Sequence, residues 1–459
     1  MVALPRTIFA LLFAAATAAA AVAAKAAGNR PPEDERKFVS AAIEAVIVNV
    51  TAQLADPVVA EIFAGAFPNT LDTTVEFFGV DEDGFADGYI ITGDINAMWL
   101  RDSTNQVAAY WPYTQEDPRL AQLMCGLVNR QIRYVLHDPY ANAFNFADEG
   151  GPWENDYRKP PMTPELHEGK YELDSLAAVL KLFNNYLSHG LDFSCIDAKA
   201  QWAQGMQVVL NTIRTQQAAT DEEWDNPAYT FARETSVATD TLMMRSRGPP
   251  AKRCGLSKCF FRPSDDATTL PFLIPANAMA VVELERFAAH LTNLGIQPGL
   301  ASQAASLAAE IRAAIAEVGI IDHPKYGQIY AYEVDGYSSY YMMDDANVPS
   351  LLSFPYLGFT EKNDPIYQRT RAAILSEGNP FYFVGTAGKG IGGPHVGMGY
   401  IWPMGLSIQI LTSDDDDEIV EALNTLKSST AGTNLMHESF WKNDPNNYST
   451  TSFFLTGSR

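Results

Sequence analysis

The chain has 459 residues, of which 47% are hydrophobic and 19% are charged. That apolar content is enough for a large core and excludes disorder as the general state of the chain. The formal net charge of −23 argues against nucleic acid or an anionic membrane surface as a partner and fits a neutral substrate. The length allows two or three average domains, although a single all-α toroid also reaches this size.

The N-terminus has the pattern of a secretory signal peptide. Arg6 supplies a positive charge, residues 7–23 form an apolar, alanine-rich run, and Ala21, Ala23 and Ala24 are small residues suited to cleavage. An uncleaved anchor is the less favoured alternative, because a membrane span needs about 20 apolar residues. We therefore expect a signal peptide at 1–24, a single domain at 25–459, a secreted protein, and no membrane contact after cleavage.

Four cysteines and two sequons bear on that compartment. Two disulfides with three connectivities are open to Cys125, Cys195, Cys254 and Cys259. Cys254 and Cys259 are close enough for a local disulfide, and free buried cysteines are an equally fair alternative. N-glycosylation sequons occur at 49–51 and 447–449, and they matter only if the chain is secreted.

Apolar residues recur at helical spacing in several segments that long polar loops separate. In the helix expected at 198–215, Trp202, Met206 and Ile213 fall on one face. Period-2 runs are scarce and βαβ alternation is absent, which favours an all-α architecture with function in the loops. The acidic run at 414–417 is predicted to start a further helix. The other predicted helices lie at 34–55, 98–113, 120–135, from 172 onward, and at 276–294, 301–318 and 400–411.

An acidic pair marks the segment FRPSDDA at 261–267. Asp265 and Asp266 follow a turn-forming Pro-Ser, with Arg262 just upstream. Two carboxylates side by side in a confined site do not both ionise freely, so one can stay protonated and act as a general acid. A solvated acidic turn is the alternative interpretation, because Pro-Ser-Asp is ordinary loop chemistry.

Carboxylate, amide and aromatic residues are mixed in the same way in other loops. Flat aromatic faces and planar hydrogen-bonding groups suit a polyhydroxylated ligand, whose rings have apolar faces and polar edges. Capping and packing would explain any one of these loops, but six together are hard to explain as scaffolding. The loops lie at 93–103, 153–154, 171–175, 343–347, 393–395 and 437–441.

Other chemistries have less support in the sequence. We find no G-x-S-x-G elbow, no phosphate-binding G-x-x-x-x-G-K loop and no H-E-x-x-H zinc motif. His395 and His437 belong to no convincing set of metal ligands, so we expect neither a metal nor a cofactor. A glycosidase that uses two carboxylates is the interpretation that remains.

Five longer motifs then indicate a family. They are TGDINAMWLRDS at 92–103, KYELDSL at 170–176, FRPSDDA at 261–267, MDDANVPSLL at 343–352 and HESFW at 437–441. On these motifs, from about Thr73 to Trp441, the chain resembles glycoside hydrolase family 125, the exo-acting α-1,6-mannosidases. Their length and order are far more specific than a short pattern.

This resemblance implies an all-α, (α/α)6 toroid at 25–459 and metal-independent hydrolysis with inversion at the anomeric carbon. Its implied substrate is an α-mannoside oligosaccharide such as mannan or an N-glycan. The general acid would be Asp265 or Asp266, and the general base would be Glu438. The residues expected to bind the sugar and shape its pocket are Asp94, Trp99, Arg101, Asp102, Arg262, Asp345, Asn347, His395 and His437.

The chain departs from the family pattern at two places. Residues 259–261 read Cys-Phe-Phe where many relatives have a Trp-Ser-Gly-Phe-like run, and residues 448–454 stand where relatives continue through an aromatic-rich helix. The alternatives are a non-catalytic mannose-binding protein on the same toroid and an inverting toroid glycosidase for another sugar. The carboxylates at 265, 266 and 438 speak against the first.

Overall fold

The structure, a computed structural model, describes residues 30–147, 151, 156–196 and 201–449. The predicted signal peptide at 1–24 and the loop residues Trp153 and Glu154 lie outside these ranges. None of the helices in the described ranges combines the length and the apolar composition that a membrane crossing needs.

Helices supply most of the regular structure, and local capping sets several of their ends. Asp117 accepts hydrogen bonds from Arg119 N and Leu120 N at 2.9 and 3.3 Å, and Pro118 fills the first helical position. Asp415 caps the acidic helix, which confirms the start predicted for it. The helices are Ala41–Gln53, Pro57–Ala66, Asn69–Thr73, Leu100–Gln106, Pro118–His137, Leu173–Ser188, Phe193–Ile196, Gln201–Thr215, Thr220–Glu223, Ile274–Leu294, Pro298–Val318, Phe354–Leu357, Pro365–Ile374, Pro403–Thr412 and Asp416–Ser428.

The long helices pack against one another around a continuous apolar core. Ile274–Leu294 lies against both Pro298–Val318 and Leu173–Ser188, and Pro118–His137 lies against Leu173–Ser188 and Gln201–Thr215. Rings from different helices meet between them: the Phe183 centroid lies 5.4 Å from that of Trp202 and 5.7 Å from that of Phe287. These contacts follow from the apolar faces that the 3.6-residue period predicts.

Small antiparallel sheets correct the all-α expectation. Ten of the strands have only two or three residues, which is too short for a period-2 pattern to be read in the sequence. Two of these, Met98–Trp99 and Phe440–Trp441, lie in loops that the sequence marked as functional. The strands are Val75–Val80, Ala86–Ile90, Met98–Trp99, Ala143–Phe144, Asp156–Lys159, Leu166–Glu168, Thr230–Arg233, Phe272–Leu273, Ile320–His323, Gly327–Tyr330, Glu333–Val334, Tyr340–Tyr341, Tyr382–Val384, Lys389–Ile391, Tyr400–Ile401, Phe440–Trp441 and Asp444–Tyr448.

The cysteines form one disulfide, between Cys125 and Cys195. Cys254 and Cys259 are free, so the local bridge considered between them is absent. Cys259 is buried, and its Sγ accepts a hydrogen bond from Leu173 N at 3.2 Å. It therefore ties the segment before the acidic pair to the start of a core helix.

Candidate active site

A cavity of about 340 Å³ collects residues from several of the predicted loops. Five of the predicted site residues line it, namely Trp99, Asp102, Asp265, Asp266 and His395. The sequence did not single out most of the others. The remaining lining residues are Thr92, Ile95, His167, Glu168, Lys170, Arg233, Val237, Thr239 and Asp240.

The acidic pair occupies a tight turn at one wall of this cavity. Asp265 N donates to Arg262 O at 2.9 Å, and Arg262 N donates to Asp266 O at 2.7 Å. Asp265 takes a left-handed conformation with φ of 67°, which non-glycine residues rarely adopt. Strain of this kind is typical of functional sites, where the surrounding structure over-determines the backbone.

His395 faces the second carboxylate of the pair. Its Nδ1 lies 3.7 Å from Asp266 Oδ2, and its side chain is 33% exposed. Burial disfavours the protonated ring, but the carboxylates of Asp266, Asp265 and Glu438 outweigh it and raise the pKa of His395 to about 9. Burial likewise disfavours ionised Asp266, but His395 and Thr239 outweigh it and lower the pKa of Asp266 below its ordinary value. At neutral pH this is an ion pair.

Glu438, the predicted base, is buried beside the C-terminal hairpin. Its carboxylate Oε2 accepts a hydrogen bond from Ser449 Oγ at 2.8 Å. Its charge also contributes to the raised pKa of His395, although Glu438 is not among the residues that line the cavity. His437 does not line the cavity; its ring stacks on Tyr448 with 3.7 Å between centroids, and its Nε2 lies 3.1 Å from Thr430 O.

Arg101 lies in a buried cluster of carboxylates rather than in the cavity lining. Its Nη1 lies 2.5 Å from Glu172 Oε2 and 2.9 Å from Asp174 Oδ2, and all three side chains are at most 1% exposed. Burial raises the pKa of both carboxyls above their ordinary values. Burial also disfavours the charged guanidinium, but the carboxylates outweigh it and raise the pKa of Arg101. Asp102 is next to it and does line the cavity.

Arg262 is likewise engaged within the protein. Its Nε donates to Glu333 Oε1 at 2.7 Å, while Oε2 of the same glutamate accepts from Thr269 N and Leu270 N at 2.9 Å. This network holds the segment that follows the acidic pair.

Asp345 and Asn347 form a buried turn near the same wall. Asp345 Oδ1 accepts from Asn347 N and Nδ2, both at 2.9 Å. Burial raises the pKa of Asp345, and the neighbouring charge of Asp266 adds to that shift. A Cβ placed on Gly393 would lie 2.9 Å from Asp345 Oδ2, which explains a glycine in the loop that carries His395.

A charged wall that sequence reasoning missed faces the cavity. Lys170 Nζ lies 2.8 Å from Asp240 Oδ1 and 3.3 Å from Glu168 Oε1. Arg233 joins both carboxylates, at 3.0 Å from Asp240 Oδ1 and 2.9 Å from Glu168 Oε1. Lys170 belongs to one of the five motifs, but Arg233 and Asp240 lie in a segment that carried no signal beyond its polar composition.

Three further side chains lie at the rim of the cavity. Trp99 packs edge-on against His167, with 5.3 Å between the ring centroids. Burial lowers the pKa of His167, which keeps its ring neutral at the cavity. Asp94 is solvent-exposed between the lining residues Thr92 and Ile95.

Among the residues that the structure describes, no group of three or more His, Cys, Asp and Glu is arranged to hold a metal ion.

Packed helices around a cavity lined by carboxylates are typical of a glycoside hydrolase. Comparison with known proteins identifies the family. The profile of the metal-independent alpha-mannosidases (GH125) matches residues 56–457. The chain belongs to this family, which confirms the resemblance seen in its motifs. The meiotically up-regulated gene 157 protein of Schizosaccharomyces pombe is 44% identical over 422 residues, which cover 89% of this chain and 82% of that protein.

Solved structures agree with this membership. A metal-independent alpha mannosidase of Streptococcus pneumoniae, in a non-productive substrate complex with alpha-1,6-mannobiose, superposes with a TM-score of 0.84 at 35% identity, covering 92% of this chain and 97% of that one. A bacterial glucoamylase complexed with acarbose superposes with a TM-score of 0.50 at 11% identity, covering 88% of this chain and 53% of that one. The second likeness concerns the fold alone.

Proposed function

We propose that this protein is an inverting exo-α-1,6-mannosidase that removes terminal mannose from mannan or N-glycan oligosaccharides. The observation that carries the proposal is the shared cavity of Asp265, Asp266 and His395, with the charge of Glu438 acting on the same imidazole. The ligand of the Streptococcus pneumoniae relative supports the linkage. The cavity of about 340 Å³ suits one terminal sugar better than a long chain, since it is at the small end of ligand sites.

In this mechanism Glu438 is the general base. It takes a proton from a water molecule whose oxygen attacks the anomeric carbon from the face opposite the glycosidic oxygen. The carbon–oxygen bond to the leaving sugar breaks as the new bond forms. The leaving oxygen receives a proton from the general acid, so the products are β-mannose and the remaining sugar with a free 6-hydroxyl.

Asp265 fits the acid better than Asp266 does. Asp266 is paired with the His395 cation and has a lowered pKa, whereas a general acid must hold its proton near neutral pH. Asp265 lines the cavity in a strained backbone conformation, and its Oδ1 has no hydrogen-bond partner among the described residues. Asp266 and His395 then act as a fixed pair of opposite charges beside the reacting bond.

The sugar hydroxyls would be bound by the polar wall of the cavity, with Trp99 against a ring face. Asp102, His395, Lys170 and Asp240 offer both donors and acceptors there. Asp94 would act from the rim. Other predicted site residues do not line the cavity and are bound to partners within the protein. We propose that they position the lining residues and do not contact the sugar. This second group comprises Arg101, Arg262, Asp345, Asn347 and His437.

We also propose that the helices close into an (α/α)6 toroid and that the protein enters the secretory pathway. The glucoamylase likeness supports the toroid. The Cys125–Cys195 disulfide supports the compartment, because disulfides persist in oxidising environments. The charged and apolar pattern of residues 1–24 supports a cleaved signal.

Mannose release from linkage-defined mannobioses tests the activity. We expect the purified chain to release mannose from α-1,6-mannobiose and to leave α-1,2- and α-1,3-mannobiose intact. Glu438→Gln should bind the α-1,6 disaccharide without turning it over, because the amide does not accept the proton. Binding without release by the unmodified chain would instead identify a mannose-binding protein and refute the proposal.

Substrates that need no acid separate the two aspartates. Asp265→Asn should lose roughly 10²–10⁴-fold in kcat on α-1,6-mannobiose. It should retain most activity on α-mannosyl fluoride, whose leaving group departs without a proton. Asp266→Asn is the matched control, and the loss in that variant should be similar on both substrates. The reverse pattern would assign the acid to Asp266.

A further inference from the structure

Residues after the HESFW motif return along it as a hairpin. Strand Asp444–Tyr448 pairs antiparallel with Phe440–Trp441, and Ser449 N donates to Ser439 O at 3.2 Å. This pairing brings Ser449 back beside residues ten and eleven positions earlier in the chain.

Two hydroxyls in this hairpin form a chain that ends on the proposed base. Ser439 Oγ and Ser449 Oγ lie 2.8 Å apart, and Ser449 Oγ donates to Glu438 Oε2 at 2.8 Å. Since Ser449 donates its proton to the carboxylate, Ser439 donates to Ser449. Ser439 is fully buried and Glu438 is 4% exposed, so the carboxylate end of the chain is held inside the protein.

The same strand also fixes the residue before the base. Tyr448 lies flat on His437, with 3.7 Å between centroids and 4° between ring planes. His437 in turn contacts Thr430 O. Two side-chain contacts therefore border the backbone at Glu438: Tyr448, the last residue of the strand, stacks on His437, and Ser449, the next residue, binds Glu438.

We propose that Ser449 is a positioning residue for the general base, which holds the Glu438 carboxylate in the orientation needed to receive a proton from water. This inference rests on the proposed function. A hydrogen bond to a charged acceptor is strong and directional, and catalysis is sensitive to errors of about 1 Å in such groups. During the reaction Ser449 keeps its proton: the water proton passes to Glu438, and the leaving oxygen is protonated by the acid.

Ser449 is itself solvent-exposed, so water is its natural competitor at the carboxylate. A water molecule can replace the hydrogen bond but does not reproduce the link to Ser439 and the paired strand. We therefore expect loss of the hydroxyl to lower kcat by roughly 10-fold to 10²-fold while KM changes little.

Two isosteric variants isolate the hydroxyl. Ser449→Thr keeps it and Ser449→Val removes it, while both add the same β-branched bulk. We expect the Thr variant to turn over α-1,6-mannobiose within about three-fold of the unmodified protein and the Val variant to fall at least about 10-fold below the Thr variant. Equal kcat in the two variants would overturn the inference, because it would mean that water replaces the hydroxyl fully.

The sequon at 447–449 requires one more control, because Ser449→Val also removes a glycosylation acceptor signal. Asn447→Gln removes the acceptor and leaves the hydroxyl, and it should keep the kcat of the unmodified protein. A drop in Asn447→Gln that equals the drop in Ser449→Val would overturn the inference in favour of a glycan effect. Thermal unfolding of each variant identifies losses that come from folding.

Glu438→Gln separates this inference from the proposed function. If it is inactive while Ser449→Val is as active as Ser449→Thr, the base stands and only the positioning role fails. If Glu438→Gln is fully active, the assignment of the base fails and the role of Ser449 fails with it.

Discussion

Replacing Arg101 by alanine tests whether this residue holds the site together. Arg101 is 1% exposed, and its partners Glu172 and Asp174 are 0% exposed at 2.5 and 2.9 Å. Removing one partner of a buried ion pair costs about 3–5 kcal/mol, because the remaining charge stays buried without compensation. Burial already raises the pKa of Glu172, so that carboxyl can take up a proton in the variant. The variant should therefore lose about 3 kcal/mol of its free energy of unfolding, which is a large share of the roughly 5–15 kcal/mol typical of a domain.

Urea unfolding followed by circular dichroism measures this cost. Arg312→Ala is the matched control, because its pair with Glu285 has the same chemistry at 2.8 Å but is 40% and 45% exposed. Exposed pairs contribute about 1 kcal/mol or less. We expect a clearly lower unfolding midpoint for Arg101→Ala and an almost unchanged midpoint for Arg312→Ala.

Kinetics on the folded fraction complete the test. Asp265 contributes to the raised pKa of Arg101, so the two groups interact, and collapse of the buried cluster in the variant should displace the side chain of the acid. We expect kcat to fall by roughly ten-fold or more with little change in KM. Unfolding like that of the unmodified protein, together with a raised KM and normal kcat, would refute this reasoning and make Arg101 a direct sugar ligand.

Two further predictions follow from the described residues. Mannose release should continue in a strong chelator, since the family is described as metal-independent; loss of activity that zinc or calcium restores would contradict this. The His395–Asp266 pair should stabilise the fold fully between about pH 4, above which Asp266 is ionised, and about pH 6.5, and it should lose that effect as pH rises through the His395 pKa of about 9. The Tm difference between the unmodified protein and His395→Asn should thus shrink with rising pH, and a constant difference would contradict the pair.

Much of the helical fold and part of the site could be predicted because their signals are local. For the fold, Asp117 and Pro118 are a typical helix start, and the helical period indicates which face is buried. The motif at 92–103 pointed to Trp99 and Asp102, and the loop at 393–395 pointed to His395; all three line the cavity. Their expected role in sugar binding came from the resemblance to the family, not from residue type and spacing alone.

The partners of those residues depended on tertiary contacts that no local pattern encodes. Arg101 was expected from its motif to bind sugar, yet it binds carboxylates 71 and 73 positions away, at the start of another helix. Arg233 reaches Asp156 and Glu168 only because strand Thr230–Arg233 pairs with Asp156–Lys159. Alternation within a four-residue strand does not show which distant strand it pairs with.

The anomeric form of the first product tests the central claim most directly. Proton NMR during the first turnovers of α-1,6-mannobiose distinguishes α- from β-mannose before the two interconvert. If Glu438 activates water opposite the leaving oxygen, the initial product is β-mannose. Initial release of α-mannose would mean retention and would remove Glu438 from the role of base.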